Sequence, residues 1–139
     1  MRVRVPATSA NMGPGFDCLG LALGLYMDVA VIAEDGDGLE IVALGEGRGA
    51  VPLDERNAVY QGVAKAYAAA GQTPGRLRLE IASEIPLASG LGSSSAALVA
   101  GLAAGMALCG VELDREELLR QGVAWEGHPD NVAPCVMGG

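Results

Sequence analysis

Residues 86–97 read PLASGLGSSSAA and run directly into LVAGLAAGMAL, an apolar stretch of Leu, Val, Ala, Gly and Met. Glycines and serines gathered immediately before such a helix carry a local cost. Gly loses much backbone entropy on folding, and Ser competes with the helix for backbone hydrogen bonds. The alternating LRLEIASEI upstream predicts a strand. Strand, glycine-rich turn and helix start together form the order in which a backbone offers unpaired N–H groups and a positive helix end to a phosphate. Ser93, Ser94 and Ser95 add hydroxyls that can cap the helix, bond phosphate oxygens or help to ligate Mg²⁺. The competing reading is local: Ser93 or Ser94 caps the helix while Gly90 and Gly92 make the turn.

Two familiar phosphate loops are excluded by the letters. A Walker loop requires Gly-Lys-Ser/Thr, and no Lys lies near this turn. A dinucleotide fingerprint requires a third Gly where Ser95 stands, followed by a second strand where a second helix is expected.

The rest of the chain punctuates clearly. RVRVP (2–6) reads as a short strand stopped by Pro6, followed by the turn-rich ATSANMGPGFDCLG. Residues 19–33 predict one or two strands, EDGDG (34–38) a hairpin-like turn, and LEIVAL another strand. Asn57 is expected to cap a helix that stops at Gly71. The Ala-rich helix ends near Gly110, and Asp114 with Glu117 forms a capping-box-like start for a helix through about Trp125. NVAPCVMGG follows without a recognisable closing element, which suggests one part of a longer protein.

A length of 139 residues fits a single domain over 1–139 with a sizeable core. The net charge of −8 disfavours nucleic acid and anionic membranes as partners. Neither a signal segment nor an apolar run long enough to span a bilayer is present, the longest being Ala96–Leu108. Cys18, Cys109 and Cys135 form no C-x-x-C pair and read as three buried thiols in a reducing, cytoplasmic protein. Trp125 and the three tyrosines are expected to pack the core, and Arg48, Arg56 and Lys65 to be solvated charges.

PLASGLGSSSAA resembles the phosphate-loop motif of the GHMP kinases, small-molecule kinases named for galactose, homoserine, mevalonate and phosphomevalonate. The resemblance implies that Pro86, Leu87, Ala88, Ser89, Gly90, Leu91, Gly92, Ser93, Ser94, Ser95 and Ala96 wrap the phosphates of ATP. It also implies that Ser94 ligates Mg²⁺ and that Asn57 touches the nucleotide base. PATSANMGPGFDCLGLAL (6–23) is similar to the first signature of the homoserine kinases within that family. There Asn11 and Asp17 would hold the substrate; by the letters alone, Asn11 can equally form a left-handed turn and Asp17 a cap.

EGHPDNVAP (126–134) gathers Glu126, His128 and Asp130, but no second His or suitably spaced Cys supports a zinc site. This segment also resembles the homoserine kinases. By that resemblance Glu126 ligates Mg²⁺ and is catalytic, His128, Asp130 and Asn131 contact the substrate, and Asp130 either takes the hydroxyl proton or only orients the hydroxyl.

The resemblance further implies an α+β N-terminal domain of the ribosomal protein S5 domain 2-like type. Its mixed sheet would be backed by helices at about 57–70, 94–109 and 114–125. The implied reaction is ATP-dependent phosphorylation of L-homoserine to O-phospho-L-homoserine for threonine biosynthesis. Another GHMP small-molecule kinase and a catalytically silent nucleotide-binding fragment are the alternatives. Homoserine kinases carry a further, C-terminal ferredoxin-like domain that is absent here. The expectation is that this chain alone binds ligands weakly or not at all and exposes an apolar face. Self-association follows from such a face, with a homodimer left open.

Overall fold

The computed structural model describes residues 1–10, 12–15 and 19–138, so Asn11, Asp17 and Cys18 lie outside the described residues. The period-2 segments build four strands: β1 (Arg2–Ala10), β2 (Gly20–Glu34), β3 (Leu39–Gly45) and β4 (Arg76–Ser83). The helices are α1 (Ala58–Ala69), α2 (Ser93–Leu108), α3 (Arg115–Glu126) and α4 (Val132–Met137). Strands order as β1-β2-β4-β3, with β1/β2 and β2/β4 antiparallel and β3/β4 parallel. The sheet is therefore mixed, as the motif resemblance implies. Alternation puts Val5, Met27, Val29, Val31, Leu77, Leu79 and Ile81 into the core. Ion pairs such as Arg4–Asp28 (2.8 Å) and Arg78–Glu80 (3.1 Å) lie between exposed side chains of the strands. No helix among the described residues is long and apolar enough to cross a membrane.

The Gly/Ala composition of α2 now has a structural cause. The helix is buried from Ser95 to Met106, as an all-round apolar helix must be. Its backbone lies against α1: a Cβ added to Gly62 would sit 2.6 Å from the Leu98 carbonyl oxygen, and one on Gly101 would collide with that of Val59. The remaining small side chains of α2 keep the two helix backbones at this close approach.

Several expectations are corrected. Pro6 does not end β1, because β1 is an edge strand and a register shift between Pro6 and Ala7 absorbs the missing N–H. EDGDG does not close a hairpin, since β4 lies between β2 and β3. The turn instead docks on the start of β4, where Gly36 and Gly38 carbonyls accept from Arg76 N (2.6 Å) and Leu77 N (3.0 Å). NVAPCVMGG does contain a closing element, the short helix α4, which buries Val132, Pro134, Cys135 and Val136.

The capping box at Asp114 is only half formed. Asp114 Oδ1 accepts from Glu116 N (3.1 Å), while Glu117 turns to Arg120 and Gln121. Tyr67 is buried, but Trp125 and Tyr26 are exposed and covered by cations rather than core: Lys65 Nζ lies 3.9 Å from the Trp125 ring centre, and Arg4 5.3 Å from that of Tyr26. Lys65 is thus not merely solvated, and Arg56 pairs with Asp54 at 2.8 Å. Cys135 is buried but Cys109 is only partly so.

Candidate functional site

After β4 the chain reverses through a loop whose dihedrals explain its residues. Ser83 Oγ accepts from Ile85 N (3.1 Å), and Ser89 Oγ donates to the Pro86 carbonyl (2.8 Å). Ala88 takes φ +53°, a left-handed conformation uncommon outside Gly, and strain of this kind concentrates at functional sites. Gly90 and Gly92 are also left-handed, and Gly92 is the N-cap of α2. Neither Ser93 nor Ser94 caps the helix, because the N-cap position belongs to Gly92 and no side chain bonds the helix start. The first intrahelical bond runs from Ala96 N to Gly92 O (2.9 Å), so the N–H groups of Ser93, Ser94 and Ser95 precede the helical ladder.

A cavity of about 270 Å³ lies between this loop, the start of α2 and the loop before α1. Leu87, Ala88, Ser93 and Ser94 line one side, Val51, Pro52, Arg56 and Asn57 another, with Met27 and Ile81 also in its wall. An apolar chamber with hydroxyls and an arginine in its wall suits a flat heterocycle attached to an anionic tail. Asn57 is buried and already committed: Oδ1 accepts from Val59 N (3.0 Å), and Nδ2 donates to the Pro52 carbonyl (2.8 Å). Its first task is thus to cap α1 and hold the loop that walls the cavity. Ser95 is buried in the helix packing and is not among the residues lining the cavity.

The 126–134 segment meets this loop through β1. Glu126 ends α3 and is half-buried, His128 is exposed, and Asp130 and Asn131 are half-buried at the start of α4. Thr8 N donates to the Leu91 carbonyl (3.0 Å), and Thr8 Oγ1 donates to Asn131 Oδ1 (2.9 Å). A Cβ on Gly92 would collide with Thr8 Oγ1 and lie 3.2 Å from Asn131 Oδ1, so only Gly fits there on space as well as on φ. At the start of β2, a Cβ on Gly20 would lie 2.9 Å from the Asp130 carbonyl oxygen. The three sequence motifs therefore converge at Thr8, Gly92 and Asn131. A threonine inside a strand reads as an ordinary β-former, so the only sequence signal at Thr8 is its position within PATSAN.

Burial, and secondarily the charge of Glu126, pushes the Cys135 thiol up to about 12 from its ordinary 9.0. The native thiol therefore keeps its proton at pH values where the unfolded thiol has lost it. Stability is expected to fall as pH rises from about 9 towards 12, and the slope should shrink in Cys135→Ala. Thermal midpoints of both proteins at pH 8 and pH 10.5 check this; parallel declines would refute it.

Comparison with known proteins places the chain in a family. A family model described as the GHMP kinases N terminal domain matches residues 57–139. Homoserine kinase of Clavibacter michiganensis subsp. michiganensis is 50% identical over 141 residues, spanning 100% of this chain and 45% of that protein. Homoserine kinase of Deinococcus radiodurans is 51% identical over 137 residues, spanning 99% of this chain and 44% of that protein. The crystal structure of homoserine kinase from Cytophaga hutchinsonii superposes with a TM-score of 0.85 at 35% identity, over 100% of this chain and 46% of the other. The chain spans about half the length of the curated relatives it matches.

Proposed function

We propose that this chain, which belongs to the GHMP kinases through their N-terminal domain, is the ATP- and substrate-binding part of a homoserine kinase. The observation that carries the reading is the meeting of the glycine loop, the end of β1 and the 126–134 segment at Thr8, Gly92 and Asn131, beside a helix start with no side-chain cap. The nucleotide base occupies the cavity walled by Asn57 and Leu87, and the phosphates lie along residues 86–96 at the N–H groups of Ser93 and Ser94.

Ser94 and Glu126 supply hard oxygen donors of the kind Mg²⁺ takes. No group of three His, Cys, Asp or Glu among the described residues could hold a metal, but a triphosphate brings its own oxygens. When bound, the ion neutralises charge on the transferring phosphates. Asp130 orients the homoserine hydroxyl or takes its proton as the new O–P bond forms and the bond to ADP breaks. His128, Asn131, Asn11 and Asp17 hold the amino acid. The product, O-phospho-L-homoserine, serves threonine biosynthesis in the cytoplasm.

An ADP-coupled assay with homoserine, mevalonate and shikimate tests this, using both this chain and the full-length protein. Turnover of homoserine by the full-length protein is the expected result. Preference for another alcohol would keep the family and replace the substrate, and ATP binding without turnover of any of the three would make the site a silent nucleotide-binding module.

A further inference from the structure

We infer that Thr8 is a positioning residue, whose hydroxyl holds the Asn131 carboxamide oxygen and thereby fixes the direction of that side chain's NH₂ group; this rests on the homoserine kinase reading. Asn131 occupies the N-cap of α4, where a side-chain oxygen ordinarily accepts a backbone N–H of the first turn. Here that donor is missing: Ala133 N–H already bonds the Pro129 carbonyl (2.8 Å) and the next residue, Pro134, has no N–H, so the oxygen is held by Thr8 instead, at 2.9 Å. With no helix N–H left to cap, the Thr8 hydroxyl is the partner that sets the direction of this side chain.

Thr8 is 1% exposed, and its backbone is independently tied to the glycine loop through Leu91. A buried hydroxyl held at both chain and side chain has little freedom to turn elsewhere. With Oδ1 pinned toward Thr8, the planar amide carries its two N–H donors on the opposite branch, away from Gly92 and Thr8. One residue thus sets the spacing between the phosphate loop and a side chain of the 126–134 segment. Transfer between two bound substrates depends on that spacing.

The test uses the full-length protein with Thr8→Val, which keeps the shape and removes the donor, and Thr8→Ser, which restores it. Thr8→Val is expected to lower kcat/KM for homoserine about tenfold or more. The KM for ATP should change less than about threefold, and Thr8→Ser should recover most of the loss. Selective ¹⁵N labelling of Asn, with Asn131→Gln to assign the signal, should show the Asn131 amide pair shifted in Thr8→Val and returned in Thr8→Ser. An unchanged amide pair, wild-type kinetics in Thr8→Val, or an equal defect in both variants would overturn the inference. Lack of homoserine turnover by the wild type would remove the functional reading alone, since the amide signal decides the Thr8–Asn131 coupling without any acceptor present.

Discussion

Glu126→Gln in the full-length protein is expected to lower kcat for homoserine by at least about a hundredfold, the scale of losing one charge-stabilising group, while making the fold slightly more stable. The opposite signs follow from where Glu126 sits. It is the last residue of α3, at the negative end of the helix dipole, and the last turn holds no basic residue to offset it. A carboxylate there works against the helix by about 0.3–1 kcal/mol, and a neutral amide does not. Its charge also disfavours the thiolate of the buried Cys135, so Gln should draw the pKa of that thiol downward without changing stability at neutral pH. A carboxylate that opposes the helix dipole in this way is accounted for by the proposed role of Glu126 toward a bound Mg²⁺. Thermal midpoint, kcat and the Mg²⁺ concentration giving half-maximal rate separate the two effects. A fall in kcat with a higher Mg²⁺ requirement and an unchanged or raised midpoint is expected. Unchanged kcat would remove Glu126 from the site.

How far the sequence revealed this depended on whether a signal was local. Asn57 as the cap of α1, Gly71 just past its end and Asp114 before α3 were legible because caps are set by dihedrals and hydrogen bonds within a few residues. The strands were legible as strands, but not their neighbours. Period 2 says which face is buried, not which strand lies alongside, so the insertion of β4 between β2 and β3 had no local signature. Pro6 misled for the same reason, being harmless only because β1 lies at the edge. By its letters the serine run can cap α2, but the left-handed Gly92 takes the cap position. The site divided in the same manner: Ser93 and Ser94 at the cavity were legible within one motif, whereas the Thr8–Asn131 bond joins residues far apart in sequence.

Gly101→Ala is expected to destabilise the protein, reversing the usual effect of that substitution. In an exposed helix, Ala for Gly stabilises by about 1 kcal/mol because less backbone freedom is lost on folding. At position 101 the new methyl group would run into the Val59 carbonyl and lie 3.1 Å from the Gly62 Cα, both backbone atoms of α1 that cannot rotate aside. Overpacking of this kind costs about 1–3 kcal/mol and occasionally more, which exceeds the propensity gain. Relief requires α1 and α2 to separate, and these two helices present the opposite walls of the cavity proposed for the nucleotide, Asn57 at the start of one and Ser93 and Ser94 at the start of the other. Weaker ATP binding should therefore accompany the lower thermal midpoint, and Gly101→Val should fail to fold. Urea unfolding and ATP titration of the full-length variant read both effects. A Gly101→Ala protein more stable than the wild type, with ATP affinity intact, would show that the helices do not pack backbone to backbone, and the reason for the Gly/Ala composition of α2 would be lost with it.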